Sequence, residues 1–189
     1  MRLFIAVPLP LSLATRAATI LPETARGLRR VPAENLHVTL AFLGYTPDER
    51  LPDAIAAAEA AAVKVEAFRL VFVRLGRFPE RGRPRVFWLG IAEGQDSLLR
   101  LGAAVAAELR SRKLRFDDRP LSPHLTLARV PEALSLAEAR DAAAVLGELH
   151  PPVLTTVVSD IAVMESVLAR KGPTYSAKAR LPLRPRPRG

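Results

Sequence analysis

The sequence predicts an α+β fold in which two pseudo-symmetric lobes, each made of antiparallel strands flanked by helices, face each other across a groove. The first observation is a repeated pattern: His37-Val38-Thr39-Leu40 returns 87 residues later as His124-Leu125-Thr126-Leu127. Each copy lies in an apolar run bounded by turn formers, which is typical of a strand. In both halves a Thr/Ser-x-x-Glu capping box and two strand-like runs follow the pattern. Matching lobes bring the two histidine strands together at the groove.

The first half of the chain alternates between strand and helix patterns. Ser12 is placed to cap a helix, and the box from Thr46 to Glu49 opens another whose apolar residues recur at helical spacing. The predicted elements are a strand at 2–7, a helix from about 12, the first histidine strand, a helix after 46–49, and strands at 67–75 and 85–91.

The second half repeats this order. The predicted elements are a helix at 96–110, a histidine strand ending near 130, a helix opened by the box Ser135 to Glu138, and strands at 153–167 and 174–183. Residues 1–183 therefore form a single bilobal domain. Residues 184–189 alternate arginine and proline up to the final glycine, a composition too charged and proline-rich to pack, so we predict a disordered basic tail.

Composition limits the chemistry. The chain of 189 residues has no cysteine, which excludes disulfides, zinc–thiolate sites and thiol nucleophiles and favours a reducing compartment. It has three histidines, and no carboxylate stands at a ligand-like spacing to His37 or His124, so we expect no metal. Pro8 and Pro10 interrupt the apolar start, which reads as a core strand rather than a secretory signal. With no stretch long enough to span a membrane, we expect a cytoplasmic protein without a membrane partner.

The formal net charge is +9, and arginine supplies most of the positive side. A basic surface attracts phosphate polyanions such as nucleic acids. A second explanation of the same charge is a coding bias toward arginine, alanine and proline. In that case the charged side chains are solvated and bind no partner. A basic hairpin tip at 76–85 has the same two interpretations, a phosphate-contacting arm or an exposed soluble loop.

The repeated pairs carry the chemical signal. Residues i and i+2 of a strand share a face, so each histidine stands beside its own threonine. A lone strand histidine is more often a core residue, but two identical units in a chain with three histidines favour a shared function. Imidazole titrates near pH ~6.5, so one ring accepts a proton while the other, beside an anion, donates one. With hydroxyls to hold the phosphate, the set suits in-line displacement at a phosphodiester, and a cyclic phosphate is a plausible target.

At these residues the chain resembles the two-histidine phosphoesterase superfamily, and within it the RNA 2',3'-cyclic phosphodiesterases, historically called 2'-5' RNA ligases. The stretches that carry the resemblance are RLFIAV at 2–7, NLHVTLAFLG at 35–44, RPRVFWLG at 83–90 and HLTLAR at 124–129. The resemblance implies a bilobal fold and hydrolysis of RNA 2',3'-cyclic phosphate ends to 2'-phosphate, with no metal or other cofactor. It also implies the reverse reaction, 2'-5' ligation to a 5'-hydroxyl.

Carried onto this sequence, the resemblance makes His37 the proton donor to the departing 3' oxygen and His124 the proton acceptor that activates water. The resemblance also implies that Thr39 and Thr126 bind the phosphate and that the partner is RNA with a cyclic phosphate end. We expect a monomer. A second interpretation stays open, in which the groove is a non-catalytic module that binds RNA or nucleotides.

Three further side chains are candidates for substrate binding. Arg129 follows the second motif and suits a phosphate, while Phe42 and Tyr175 suit stacking on a base. Strict alternation places Arg129 and Phe42 on the strand face opposite the threonines. Arg129 therefore needs a β-bulge or a strand end to reach the groove.

Overall fold

The computed structural model describes residues 1–169 and 172–186. Within these residues it contains one antiparallel sheet and four α-helices. The strands are β1 (Arg2–Pro8), β2 (Arg29–Arg30), β3 (His37–Tyr45), β4 (Phe68–Phe78), β5 (Val86–Glu93), β6 (Leu125–Arg129), β7 (Leu154–Val158), β8 (Asp160–Ala169) and β9 (Gly172–Pro182). The helices are α1 (Leu11–Ala18), α2 (Leu51–Ala62), α3 (Gln95–Ser111) and α4 (Leu136–Gly147).

The predicted α+β fold with two matching halves is confirmed, and the two halves share one sheet. Its strand order is β7-β4-β5-β6-β3-β1-β8-β9, with the short β2 paired to β6. The two histidine strands β3 and β6 are therefore neighbours at the centre, with three further strands outside each of them. Their direct ladder consists of a single pair, Val38 opposite Leu125.

The predicted strand at 153–167 is wrong as one element, because the chain breaks at Ser159 into β7 and β8. These two strands pair with different partners, β7 with β4 and β8 with β1 and β9. Since one residue joins strands that lie far apart in the sheet order, the sheet must curl until its ends approach. The backbone amide of Leu183 donates to the Ser159 carbonyl oxygen at 2.8 Å and ties the end of β9 to this junction.

The predicted tail begins one residue too early. The backbone amide of Arg184 donates to the Val65 carbonyl oxygen at 3.0 Å, and its own carbonyl oxygen accepts from the Ala67 amide at 2.8 Å. Its guanidinium also pairs with the Glu66 carboxylate at 2.9 Å. Arg184 is therefore part of the fold, because it forms a short bridge to the segment before β4. Residues 187–189 of the predicted tail lie outside the described residues.

The core lies between the sheet and the helices. Leu3, Ile5 and Val7 on the interior strand β1 are almost fully buried and belong to the hydrophobic core. Helices α2 and α3 pack against each other, and they contact β8 and β3, respectively. Alternate residues of β1 face the other side of the sheet, where Phe4 borders the groove. In the part of the chain that the structure describes, no helix is long and apolar enough to cross a membrane.

Of the predicted helix caps, only the last forms. The Ser135 hydroxyl accepts from the Glu138 amide at 3.2 Å, and the Glu138 carboxylate accepts from the Ser135 amide at 2.9 Å. Thr46 is not a cap, because its backbone continues the pairing with Met1 and α2 starts only at Leu51. Ser12 is not a cap either, since α1 begins at Leu11, after Pro10.

We predict that Ser135→Ala lowers the free energy of unfolding by about 1 kcal/mol, the usual cost of losing a serine N-cap. Ser12→Ala is the matched control, because Ser12 is exposed inside the first turn of α1, where alanine is the better helix former. Urea denaturation of both variants measures the difference. Equal loss of stability in the two variants contradicts the capping interpretation.

Candidate active site

The central pair of the sheet brings the two histidine motifs together. In an antiparallel ladder with Val38 opposite Leu125, His37 lies beside Thr126 and Thr39 lies beside His124. Val38 and Leu125 are themselves fully buried in the core, so their four neighbours share the opposite face of the sheet. The structure therefore places the two histidines and two threonines in one compact, crosswise group.

A groove opens at this group because β3 and β6 separate beyond the central pair. On one side the Val31 amide, next to β2, donates to the Leu127 carbonyl oxygen at 2.8 Å. On the other side the Asp117 amide donates to the Phe42 carbonyl oxygen at 2.8 Å. Each histidine strand thus exchanges its partner for a separate segment, and the space between the segments is the groove.

The groove is a cavity of about 900 Å³. All seven residues predicted from the sequence to form the site line it: His37, Thr39, Phe42, His124, Thr126, Arg129 and Tyr175. The third histidine, His150, lies in the loop after α4, outside this cavity. The volume suits a nucleotide-sized ligand, since pockets for small molecules span roughly 300–1,000 Å³.

Matching β-bulges turn Phe42 and Arg129 into the groove. Against β5, Phe87 pairs with Ala128 and Trp88 with Thr126, which leaves Leu127 as the extra residue of β6. Against β1, Ile5 pairs with Ala41 and Ala6 with Thr39, which leaves Leu40 as the extra residue of β3. Each bulge follows directly after its threonine. Beyond it, the residues that would face the core face the groove instead, and the reverse. The sequence required a bulge or a strand end for Arg129; the structure has this bulge, and Arg129 is also the last residue of β6. Phe42 holds the equivalent position in the other half.

The two imidazoles are anchored in the same way. His37 Nδ1 lies 2.7 Å from the Asn35 carbonyl oxygen, and His124 Nδ1 lies 2.7 Å from the Ser122 carbonyl oxygen. A carbonyl oxygen only accepts, so Nδ1 carries the hydrogen in both rings. In the neutral ring Nε2 then has a free lone pair. Each histidine is thus oriented to exchange a proton at Nε2.

Aromatic rings enclose both histidines. The His37 ring packs against Phe4 and Tyr175, with centroid distances of 4.8 and 5.3 Å. The His124 ring packs against Phe78 and Trp88, with centroid distances of 5.1 and 6.2 Å. Tyr175, predicted to stack on a base, lines the cavity and contacts His37 edge-on. These contacts hold the rings in place and remove water from around them.

This burial lowers the pKa of both histidines below the ordinary value. For His37, desolvation is the largest cause, the hydrogen bond to Asn35 partly opposes it, and the positive charge of Arg129 lowers the pKa further. For His124, desolvation is again the largest cause of the lowered pKa. The hydrogen bond to Ser122 raises the pKa, and the positive charge of Arg129 lowers it. Because Arg129 acts on both rings, its charge lies near the centre of the site.

The cavity is strongly positive. Within residues 1–169 and 172–186, the charged side chains that line it are one carboxylate, Asp117, and five arginines: Arg2, Arg29, Arg30, Arg119 and Arg129. The Asp117 carboxylate is paired with Arg119, with Nε at 2.8 Å from Oδ1. An excess of cations in a concave site concentrates anions and steers their approach.

The basic hairpin tip at 76–85 is partly structural. The Arg83 guanidinium donates to the carbonyl oxygens of Pro131 and Leu134, at 3.1 and 2.5 Å. It therefore ties the β4–β5 loop to the segment that precedes α4.

Asn35 is a site residue that the sequence analysis missed. Its carbonyl oxygen orients His37, while its side-chain Nδ2 donates to the Pro173 carbonyl oxygen at 2.8 Å. This side chain is 7 % exposed, which is unusual for asparagine. It joins the first motif to the start of β9, and so brings Tyr175 against His37. The position two residues before the histidine was its only signal in the sequence.

Comparison with known proteins agrees with this geometry. The family model described as the 2'-5' RNA ligase superfamily matches residues 9–169. The chain belongs to the 2'-5' RNA ligase superfamily. Superfamily relatives include two proteins named RNA 2',3'-cyclic phosphodiesterase. The Archaeoglobus fulgidus protein is 34% identical and covers 93% of this chain and 96% of its own. The Thermus thermophilus protein is 38% identical and covers 97% and 91%. The resemblance stated from the motifs is confirmed.

Solved structures of the superfamily share the fold. The crystal structure of TT0787 of Thermus thermophilus has a TM-score of 0.74 at 32% identity and covers 98% of this chain and 99% of that one. The crystal structure of Escherichia coli LigT complexed with 3'-AMP has a TM-score of 0.72 at 26% identity and covers 96% and 97%. The curled bilobal sheet is therefore shared with these two proteins.

We predict that Gly76→Ala destabilises the His124 side of the groove. A Cβ at Gly76 would lie 2.3 Å from the Trp88 ring, which also packs closely on Gly90. The ring must therefore shift, which disturbs its contacts with Phe78 and His124, at a cost of about 1–3 kcal/mol. Trp88 is the only tryptophan, so its fluorescence reports the shift together with the unfolding midpoint.

Gly147→Ala is the control for this prediction, because a Cβ at Gly147 meets no atom within 4 Å. We expect no loss of stability and an unchanged spectrum in that variant. Wild-type stability and fluorescence in Gly76→Ala would show that the ring is not confined as described.

Proposed function

We propose that this chain is an RNA 2',3'-cyclic phosphodiesterase that hydrolyses the cyclic phosphate to a 2'-phosphate. The observation that carries the proposal is the crosswise group of two His-Thr pairs, with both Nε2 atoms available in a positive cavity. The superfamily relatives from Archaeoglobus fulgidus and Thermus thermophilus are named for this activity.

In the proposed mechanism the cyclic phosphate lies between the two imidazoles. His124, neutral with a free Nε2 lone pair, takes a proton from water as the water oxygen attacks phosphorus. His37, protonated at Nε2, gives its proton to the 3' oxygen as the bond from phosphorus to that oxygen breaks. The product carries a 2'-phosphate and a 3'-hydroxyl, and the two histidines have exchanged protonation states.

The phosphate is held by neutral and charged donors of the chain itself. Thr39 and Thr126 donate hydroxyl hydrogen bonds to its non-bridging oxygens, and Arg129 adds a charge-assisted contact. These donors stabilise the negative charge that grows on the phosphate during attack. The proposed reaction needs no metal or other cofactor, because the two imidazoles supply both proton transfers.

The same site serves 2'-5' ligation when a different nucleophile takes the place of water. A 5'-hydroxyl of a second RNA end attacks the cyclic phosphate and gives its proton to His124, the bond from phosphorus to the 3' oxygen breaks with a proton from His37, and a 2'-5' linkage results. Hydrolysis dominates in water, because ligation requires a second chain end to be bound in place while water is always present.

Phe42 and Arg129 give the proposed substrate its orientation. They occupy equivalent positions in the two halves, but one is an aromatic ring and the other a cation. The Arg2 guanidinium lies over the Phe42 ring, 5.1 Å from its centroid, and enlarges a flat surface for a base. The base therefore lies toward Phe42, with Tyr175 as a second ring, and the phosphate lies toward Arg129.

The proposal also includes the setting in which the enzyme works. We expect a cytoplasmic monomer, since both histidines and both threonines of the groove come from one chain and the sequence has no cysteine to oxidise. Light scattering after size-exclusion chromatography measures the mass against 20.6 kDa.

The decisive experiment is incubation with an oligoribonucleotide that ends in a 2',3'-cyclic phosphate, in EDTA, followed by identification of the product terminus. We predict a 2'-phosphate product. His37→Ala and His124→Ala each reduce the rate by at least about a hundredfold, the contribution of one general acid or base. Thr39→Ala and Thr126→Ala have smaller effects and weaken substrate binding. Circular dichroism verifies that all four variants fold.

Near-normal rates in both histidine variants would rule out the mechanism. A 3'-phosphate product would reverse the assigned bond cleavage. Tight binding of the RNA without turnover by the wild-type protein would instead identify a binding module that uses the same groove.

The lowered pKa values of both histidines predict the pH dependence. The active free enzyme has one protonated and one neutral imidazole, and both pKa values lie below about 6.5. The singly protonated form therefore already declines below about pH 6.5, so the alkaline limb of kcat/KM lies on the acid side of that pH and kcat/KM is still falling as the pH rises through neutrality. Binding of the phosphate anion raises the donor's pKa, so the alkaline limb of kcat lies at higher pH.

Burial is the largest cause of the lowered pKa values, and Arg129→Gln tests the additional contribution of the Arg129 charge. Removal of the positive charge raises both histidine pKa values, so both limbs of the kcat/KM profile move to higher pH while KM increases. A profile that keeps its position in this variant would show that Arg129 does not act on the histidines.

A further inference from the structure

We propose that Arg29 forms a second phosphate subsite beside Arg129, and that it binds the internucleotide phosphodiester on the 5' side of the terminal nucleotide while Arg129 binds the reacting phosphate. The inference rests on the proposed function and names its substrate class as the end of an RNA chain rather than a free cyclic nucleotide.

The first observation is a cross-strand pair of like charges. In the β2–β6 ladder Arg29 stands directly opposite Arg129, and the next pair is Arg30 with Ala128. Directly opposed side chains lie about 4.5–5.5 Å apart at Cβ, and like charges in such a pair repel. Both arginines are exposed and line the cavity. Bound phosphates beside the two guanidiniums offset this repulsion.

The second observation is that the other arginines of the cavity are already engaged. Arg30 donates to the carbonyl oxygens of Leu21 and Pro22, both at 2.5 Å. Arg119 is paired with Asp117, and Arg2 lies over the Phe42 ring. Over residues 1–169 and 172–186, no carboxylate lies within 4.0 Å of the guanidinium of either Arg29 or Arg129. These two cations therefore remain for a ligand.

The third observation is that β2 is held firmly enough to present Arg29. The Arg30 side chain fixes the strand to the chain segment after α1, and the Val31 amide bonds to Leu127 of β6. Arg29 therefore projects from a hydrogen-bonded ladder instead of a free loop. A preorganised cation loses less entropy when it binds a phosphate.

Position decides which phosphate each arginine binds. The charge of Arg129 lowers the pKa of both catalytic candidates, His37 and His124, so Arg129 lies near the reacting phosphate. Arg29 lies one strand away, and neighbouring strands are about 4.8 Å apart. A ligand that contacts both must carry a second phosphate next to the cyclic one. In an RNA end this is the phosphate at the 5' oxygen of the terminal nucleotide.

The test compares three substrates: a nucleoside 2',3'-cyclic phosphate, the same compound with a 5'-phosphate, and a dinucleotide that ends in the cyclic phosphate. For wild-type protein we expect kcat/KM to be at least about tenfold higher for the dinucleotide than for the nucleoside compound, the scale of one charge-assisted hydrogen bond. The value of kcat/KM for the 5'-phosphorylated compound shows whether the subsite binds a terminal phosphate as well as it binds a phosphodiester.

Arg29→Ala should lower the ratio of kcat/KM for the dinucleotide to kcat/KM for the nucleoside compound by about tenfold. Arg29→Lys should retain part of the ratio, since it keeps the charge without the planar fork. For longer oligonucleotides, log kcat/KM decreases as log salt concentration increases. In Arg29→Ala this negative slope should become shallower by about 0.7, the value for one phosphate contact on a single strand. The matched control is Arg26→Ala, which removes an exposed arginine outside the cavity lining.

If wild-type protein and Arg29→Ala have the same kcat/KM ratio and the same salt slope, the proposed subsite is wrong. An equal loss in Arg26→Ala would also overturn it, since the effect would then come from net charge. If no cyclic phosphate of any length is hydrolysed, the proposed function fails. Filter binding of the dinucleotide to wild-type protein and Arg29→Ala then still decides whether Arg29 contacts the phosphodiester.

Discussion

The groove depends on one short contact, the antiparallel pairing of Val38 with Leu125 at the centre of the sheet. Both side chains are fully buried in the core, and they hold together two strands that otherwise diverge. A longer ladder between β3 and β6 would close the groove. Without the pair, the two histidine motifs would lie in separate lobes. The single pair satisfies both requirements, because it brings the motifs into contact and lets the strands separate immediately beyond it.

The symmetry of the two halves extends to details that the chemistry uses. Each histidine is anchored by the carbonyl oxygen two residues earlier, and each threonine is followed by a bulged leucine. The symmetry is broken at the next groove-facing residue, Phe42 in one half and Arg129 in the other. A symmetric site would bind an RNA end equally well in two opposite orientations. An RNA end is itself asymmetric, with a base on one side and a phosphodiester on the other. The difference between Phe42 and Arg129 supplies the orientation.

Electrostatics and burial act together on the histidines. Aromatic rings desolvate them, Arg129 repels protons from them, and both effects keep the free imidazoles neutral. The same positive charge attracts the phosphate whose arrival restores the pKa of the donor. Binding of the substrate therefore prepares the proton that the proposed reaction consumes. A polyanionic chain end gains further from the remaining arginines around the cavity.

Local patterns in the sequence were sufficient for the order of the elements and for the two His-Thr pairs. Strand alternation, helical periodicity and the Ser135 cap depend on residues close together in the chain, which is why β1, β3, α3 and α4 were predictable. Cap patterns alone failed at Thr46, because its backbone is paired with Met1, a residue distant in sequence. The break at Ser159 was missed for the same reason: only the separate partners of β7 and β8 reveal two strands.

What the tertiary structure decided is the way in which the two halves meet. The sequence by itself determined that two identical imidazole–hydroxyl pairs exist, that a resident thiol site is excluded, and that Arg129 needs a bulge or a strand end to reach the groove. Only the folded sheet placed Leu127 and Leu40 as the extra residues, set Asn35 between His37 and Pro173, and paired Arg29 with Arg129. These features arise from contacts between segments that are distant in the sequence, such as Asn35 with Pro173 and Arg29 with Arg129.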